Sequence, residues 1–285
     1  MYGVRCPITS SVIFLCFVIA SNACEKAIDP TRITSAGGSI TEIIYFLNFQ
    51  KNLVAVDVTS NYPSETKNLP SIGYVRQLSA EGILSLDPTI IIGEDDMGPP
   101  SVMEQIKRTN VEIKIIPENH SAEGILEKVK CVSKIIGADS DELIDTYLNP
   151  KIKRLEQQTN LKDKKKIIYI LGMQSGSPLI AGKNTSGNGL INISGGINPL
   201  ASFDNWKPVG TESIIEAAPD LIIISERGLR GFGTLEDLRN HPALYLTPAA
   251  KNKKIISIDG MASLGFGPRT IDSAIKISEI FNGIN

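Results

Sequence analysis

"EGILSLDPTIIIG", residues 81–93, is answered 131 positions later by "ESIIEAAPDLIIIS", residues 212–225. Each copy has Ile two residues after its Glu and Pro seven residues after it, and then runs into an apolar stretch. A proline disfavours helical geometry in the residue before it. Each copy therefore reads as a short helix ended by Pro88 or Pro219, followed by a buried parallel strand, Thr89 to Ile92 or Leu221 to Ile224. One such unit per half implies two similarly built lobes. The word "SAEGIL" at 79–84 also occurs at 121–126, where no Pro-strand unit follows. By itself it is a good helix start, with Ser as the cap and Glu at the positive end of the dipole. What singles out Glu81 is its match to Glu212.

Two further stretches have the form of an opening α/β unit. "RITSAGGSITEIIYFLNF", residues 32–49, reads as a strand, a glycine turn and a helix in which Ser39 and Glu42 form a capping box. "KKKIIYILGMQSGS", residues 164–177, is a strand running into another glycine turn. Between them lie a helix closed by Gly137 and a segment, 139–160, whose Leu143, Ile144, Tyr147, Leu148, Ile152 and Leu155 have helical spacing. Pro150 removes one backbone hydrogen bond from that segment, so a bend or break is expected near Asn149. The predicted fold is α/β, two Rossmann-like lobes joined by a single long connecting helix. Its expected parts are an export signal at 1–23, an N-terminal lobe at 24–137, the connector at 138–163 and a C-terminal lobe at 164–285.

A chain of 285 residues suits two lobes of roughly 110 to 130 residues each. With 42% hydrophobic and 21% charged residues and no block of like charge, disorder and nucleic-acid binding are disfavoured. The first residues, "MYGVRCPITSSVIFLCFVIASNAC", carry Arg5, an apolar run from Val12 to Ala20, and small residues before Cys24, the pattern of a secretory signal. The apolar run is shorter than the about 20 residues that span a bilayer. Cleavage after Ala23 would leave a soluble exported protein. Lipid attachment to Cys24 is the alternative, although Ser21 stands where a lipoprotein signal usually has Leu. Cys6 and Cys16 would leave with the signal, and the remaining Cys24 and Cys131 exclude a disulfide scaffold and a Cys-x-x-Cys zinc site.

Phosphate-loop, dinucleotide, nucleophile-elbow and zinc-protease motifs are absent from the sequence. "GMQSGSPLIAGKNTSGNG", residues 172–189, lacks phosphate-loop spacing and reads as a mobile loop. The two histidines, His120 and His241, each sit in a polar turn, too few for a zinc or manganese site. Tyr74 and Arg76 are two apart, which in an extended segment puts them on one face. A nearby guanidinium favours tyrosinate, an anionic oxygen suited to ferric iron, and Tyr is a known axial ligand of haem. "EDDMGPP" (94–100) and "GFGPRT" (265–270) read as loops after strands, making Met97, Phe266 and Arg269 candidates to line a cleft. Glu81 and Glu212 either cap their helices or meet basic pockets on a two-fold symmetric partner.

In "RITSAGGSITEIIYFL", "VAVDVTSNYP", "IGYVRQLSAEGILSLDPTIII", "EDDMGPP" and "TPAAKNKKIISIDGMASLGFGPRT", the chain resembles the periplasmic haem-binding proteins of bacterial haem ABC importers. The Gly-Tyr-x-Arg-Gln-Leu-Ser-Ala-Glu-Gly stretch is the specific part, since related vitamin B12 and siderophore binders share the lobes without it. The resemblance implies a monomeric periplasmic carrier that transports ferric haem b, with Tyr74 as axial ligand and Arg76 as its companion. Glu81 and Glu212 would dock, one per lobe, on the inner-membrane permease and its ATPase, and no enzymatic activity is expected. A corrinoid or ferric siderophore is the alternative cargo. Some members use a His from the second lobe for haem; the matching "SPLIAGKNTSG" here has none.

Overall fold

The computed structural model describes residues 22–160, 163–174 and 176–283, so the expected export signal lies almost wholly outside the described residues. The N-terminal half contains β1 (Ile33–Ala36), α1 (Gly38–Phe46), β2 (Leu53–Val56), α2 (Ala80–Leu84), β3 (Ile90–Glu94), α3 (Pro100–Ile106), β4 (Glu112–Ile116) and α4 (Ala122–Ile136). The chain then runs through α5 (Asp141–Leu143), a π-helical turn (Ile144–Leu148) and α6 (Asn149–Thr159). The C-terminal half follows with β5 (Ile167–Gln174), β6 (Ser177–Ala181), α7 (Ser186–Ile193), β7 (Trp206–Pro208), α8 (Thr211–Ala217) and β8 (Leu221–Ser225). It closes with α9 (Glu226–Leu229), α10 (Leu235–Arg239), α11 (Pro248–Lys251), β9 (Ile255–Ile258), α12 (Gly260–Leu264) and α13 (Pro268–Asn282).

The first sheet has the order β2-β1-β3-β4, every pairing parallel. The second has the order β7-β6-β5-β8-β9; β5, β8 and β9 are parallel, and β6 runs antiparallel between β5 and β7. The repeated Ile-rich strands are both interior, β3 between β1 and β4 and β8 between β5 and β9. Ile90, Ile91 and Ile92 are 0% exposed, as are Leu221 through Ile224, because helices cover both faces of a parallel sheet. Alternation along each strand divides the core. Ile90 and Ile92 join Leu221 and Ile223 in one apolar cluster common to the two halves. Ile91 faces a cluster confined to the N-terminal half, and Ile222 and Ile224 face one confined to the C-terminal half.

The repeat extends to backbone conformation. Asp87 and Ala218, the residues before the paired prolines, both adopt left-handed geometry, with φ of 49° and 47°. Each short helix is thus turned back into its strand by the same local device. Pro150 does not break the connecting segment: Asn149 keeps helical angles, and the π turn directly before it widens the spiral, leaving room for the ring and the missing donor. The stretch expected as a mobile loop is instead the β5–β6 hairpin followed by α7, with Gly176 at φ 80° in its turn.

One covalent bond staples the N-terminal half, and a set of ionic contacts fastens the two halves together. Cys24 and Cys131 form a disulfide across 107 residues, a pairing that exclusion of a disulfide scaffold did not foresee. Ser39 and Glu42 make no capping box, because Gly37 is the cap residue and both side chains are used elsewhere. Glu42 accepts from the Arg269 backbone amide at 2.8 Å and from its Nε at 2.7 Å, and Tyr62 lies 3.8 Å beneath that guanidinium. Lys128, with a side chain 1% exposed, is paired with Glu118 and lies 3.9 Å from Glu94. It also donates to Ser39 Oγ at 3.2 Å and to the Gly265 carbonyl at 3.1 Å, across the junction.

Burial pushes the Glu94 carboxyl up to about 7, with Lys128 opposing and Glu118 reinforcing the shift. A carboxyl whose folded pKa exceeds its unfolded one takes up a proton on folding, so it favours folding at low pH and loses that contribution between pH 4.5 and about 7. Glu94→Gln is therefore expected to leave urea stability almost unchanged at pH 4 and to raise it by on the order of 2 kcal/mol at pH 8. Reduction of the disulfide, or Cys131→Ser, is expected to lower the unfolding free energy by about 2 to 5 kcal/mol, measured by urea denaturation with and without reductant.

Candidate functional site

The loops after β1 to β4, β8 and β9 leave the carboxyl ends of parallel strands, where ligand crevices of open α/β sheets form. One of them is continued by the segment carrying Tyr74. Ser71 bridges Val56 in parallel, the Ile72 amide donates to the Val56 carbonyl at 3.0 Å, and the Val58 amide donates to the Gly73 carbonyl at 2.9 Å. The chain then turns, with the Gln77 amide donating to the Tyr74 carbonyl at 2.7 Å.

Ile72, Val75 and Leu78 point inward, into the cluster that holds Ile83, Met97 and Met103. Two backbone bonds staple the turn to the loop after β3: Gly98 amide to Val75 carbonyl, 2.9 Å, and Leu78 amide to Gly98 carbonyl, 2.8 Å. With its apolar residues committed to the core, the turn leaves Tyr74 and Arg76 outside. A tight turn, and not the extended segment the spacing suggested, brings the pair together.

Tyr74 is 37% exposed, and among the described residues its hydroxyl has no hydrogen-bond partner. The Arg76 guanidinium holds Asp96 through Nε at 2.6 Å and Nη2 at 2.5 Å. Burial lowers the Arg76 pKa, but the bond and charge of Asp96, with smaller contributions from Tyr74 and Glu94, outweigh it and leave the group raised. Arg76 is thus a fixed cation whose charge Asp96 already half-answers. Val58, 60% exposed beside Gly73, adds an apolar surface that no motif singled out.

The other candidates divide sharply. Met97 is 6% exposed and packs so closely over Gly93 that a side chain there would collide with its sulfur. Phe266 is fully buried and stacks on His120, ring centroids 4.8 Å apart. Arg269 is held by Glu42. "GFGPRT" follows α12 and not a strand, and it forms the wedge between the halves; a Cβ at Gly267 would sit 3.2 Å from Glu42 Oε1. His120 is therefore not an isolated turn residue but part of that junction, with Nε2 3.4 Å from Glu118. His241 remains in its turn, accepting from the Ala243 amide at 3.2 Å.

In the C-terminal half, Arg227 stands 131 positions after Asp96, at the matching end of β8, and is exposed with no ion pair among the described residues. Glu81 and Glu212 lie in the first turns of α2 and α8, both exposed. Neither serves as a cap: Ser79 accepts from the Gly82 amide in α2, and Gly210 precedes α8. Among the described residues, no group of three or more His, Cys, Asp or Glu could hold a metal ion, and no helix is long and apolar enough to cross a membrane.

The chain shares 33% identity with the periplasmic haem-binding protein RhuT of Roseiflexus sp. RS-1, over 89% of this chain and 98% of that one, with a TM-score of 0.82. It shares 33% identity with the periplasmic haem-binding protein HutB of Vibrio cholerae, over 89% and 99%, with a TM-score of 0.80. It is also 27% identical to a vitamin B12-binding protein of Vibrio parahaemolyticus over 89% of this chain and 90% of the relative. The two-lobe architecture and a family match over residues 33–262 agree: the chain belongs to the periplasmic binding protein family.

Proposed function

We propose that this protein is an exported, monomeric haem carrier that holds ferric haem b at the crevice and delivers it to the permease and ATPase of an ABC importer. The observation that carries the proposal is Tyr74, an exposed phenol without a hydrogen-bond partner among the described residues, on a turn pinned by backbone bonds and an apolar base. A phenolate is a hard anionic oxygen donor suited to ferric iron, and a ligand oxygen must be free of competing bonds to reach the metal. Arg76 supplies positive charge beside it, and Arg227, with no ion pair among the described residues, offers a cation for an anionic edge of the cargo. Likeness to two haem-binding proteins at 33% identity supports haem over the corrinoid alternative, whose relative stands at 27%. A corrin also gives the bare phenol no comparable role.

Met97 sets the base of the Tyr74 turn from inside the core, while Phe266 and Arg269 hold the wall that the second half presents. Glu81 and Glu212, at equivalent points of the repeat and free of capping duty, are the carboxylates that meet the permease. Charged groups placed this way fix orientation and partner choice more than raw affinity.

Haemin added to the purified protein should give the absorption spectrum of ferric haem bound through tyrosinate. Tyr74→Phe, which keeps the ring but removes the oxygen, should abolish that spectrum and weaken binding about tenfold or more, equivalent to ~1.4 kcal/mol. An unchanged spectrum in that variant would falsify the ligand assignment. For docking, Glu81→Lys with Glu212→Lys should leave the haemin titration intact while uptake into vesicles reconstituted with the importer falls to background. Uptake at the unmutated rate would remove both residues from the interface.

A further inference from the structure

We propose that Cys24 is committed to its disulfide with Cys131 and is not the attachment point of a lipid, so the exported chain is fastened at its new N-terminus to α4 of its own fold. The proposal does not depend on which ligand the protein carries.

The two fates compete for one atom. A lipoprotein signal leads to a thioether between the cysteine sulfur and a diacylglycerol, and a sulfur bonded in that way cannot also join a disulfide. The structure uses Cys24 Sγ in the bond to Cys131. Forming that bond releases two protons and two electrons from the two thiols. They pass to the disulfide of an exchange partner, which leaves as a dithiol after a mixed-disulfide intermediate. An oxidising compartment beyond the cytoplasm keeps such disulfides available.

The surroundings point the same way. Cys131 lies on the buried side of α4, 6% exposed, with Cys24 packed against the same cluster. Ala27, only three residues after Cys24, is buried, and its amide donates to the Ile135 carbonyl at 2.9 Å. The Ile28 amide then donates to Glu112 Oε2 at 2.8 Å, fixing the segment on the edge of β4. Only Glu25 and Lys26 separate Cys24 from the first buried residue, a reach of about 10 Å when extended. A lipid at Cys24 would thus have no tether, and would press the edge of the N-terminal sheet against the headgroups. The leader itself carries Ser21 where a lipoprotein signal has Leu.

The test expresses the full chain, leader included, in a bacterial host that performs both kinds of export processing, and compares it with Cys131→Ser and Cys24→Ser. The exported protein is fractionated into soluble and membrane parts, weighed intact, and alkylated at thiols with and without reductant. The expected wild-type product is soluble, has no acyl mass, is two hydrogens lighter than its reduced form, and takes up two alkyl groups only after reduction. Cys131→Ser should take up one alkyl group without reductant. Lipid appearing on Cys131→Ser but not on the wild type would also support the proposal, by showing that the pairing keeps Cys24 from acylation. A wild-type product in the membrane fraction with a diacylglyceryl mass on Cys24 and one reactive thiol at Cys131 would overturn it. Cleavage beyond Cys24 would overturn it too, because the sulfur would then be absent from the mature chain.

Discussion

The contact between Glu42 and Arg269 sets the terms for the rest of the molecule. Glu42 belongs to the first helix of the N-terminal half and Arg269 to the last helix of the other, with side chains 5% and 20% exposed. Burial raises the Glu42 carboxyl pKa, and the Arg269 charge and bonds oppose that shift. A buried ion pair adds little stability over a well-packed apolar pair, but separating its members strands a charge, which costs about 3 to 5 kcal/mol. Lys128 adds a second tie of another kind: its ammonium is paired with Glu118 inside the N-terminal half and donates to the Gly265 carbonyl across the junction. Wide separation of the halves along this junction would strand the Glu42 and Arg269 charges and strip Lys128 of its Gly265 carbonyl, while leaving it paired with Glu118.

That constraint bears on the proposed site. The apolar cluster common to both halves contains residues of α1, α4, α6 and α13 together with alternate positions of β3 and β8. With the junction fixed by packing and by charge, the proposed ligand site would exist before the ligand arrives. Tyr74 accordingly stands on a turn whose apolar residues are sunk in the core and whose backbone is tied to two neighbouring loops. A site of this kind loses little conformational entropy on binding, which is where preformed sites gain affinity. Asp96 fits the same pattern: it holds Arg76 in one place through two short contacts to a single oxygen.

Legibility in the sequence followed the range of the interactions. Strand identity, parallel pairing and the two-fold plan were readable because continuous apolar runs after a proline report burial on both faces locally. The turn at Gly137 and the openings of both halves were readable for the same reason. What failed depended on partners far along the chain. Ser39 and Glu42 have the spacing of a capping box, but Glu94 and Arg269, 55 and 227 residues away, claim their side chains. The stretch holding Phe266 and Arg269 reads as a loop after a strand, but it follows α12, and its glycines allow close backbone approach at the junction. The disulfide was hidden because two cysteines 107 residues apart carry no spacing signal. Tyr74 and Arg76 were chosen for a geometry the turn replaces, yet both remain exposed because Ile72, Val75 and Leu78 are the residues that must be buried.

Rigidity also bears on release. On the proposed reading, Glu81 and Glu212 occupy equivalent points of two halves that one core and two ionic contacts hold in register, so their separation is a fixed property of the fold. A two-fold partner can recognise that separation without any signal that ligand is bound. Discrimination between loaded and empty carrier then has to come from the crevice between the two carboxylates. On the same reading, release follows when the partner draws the halves apart against Glu42–Arg269 and Lys128–Gly265. The contacts that preform the site are therefore the ones whose disruption would empty it.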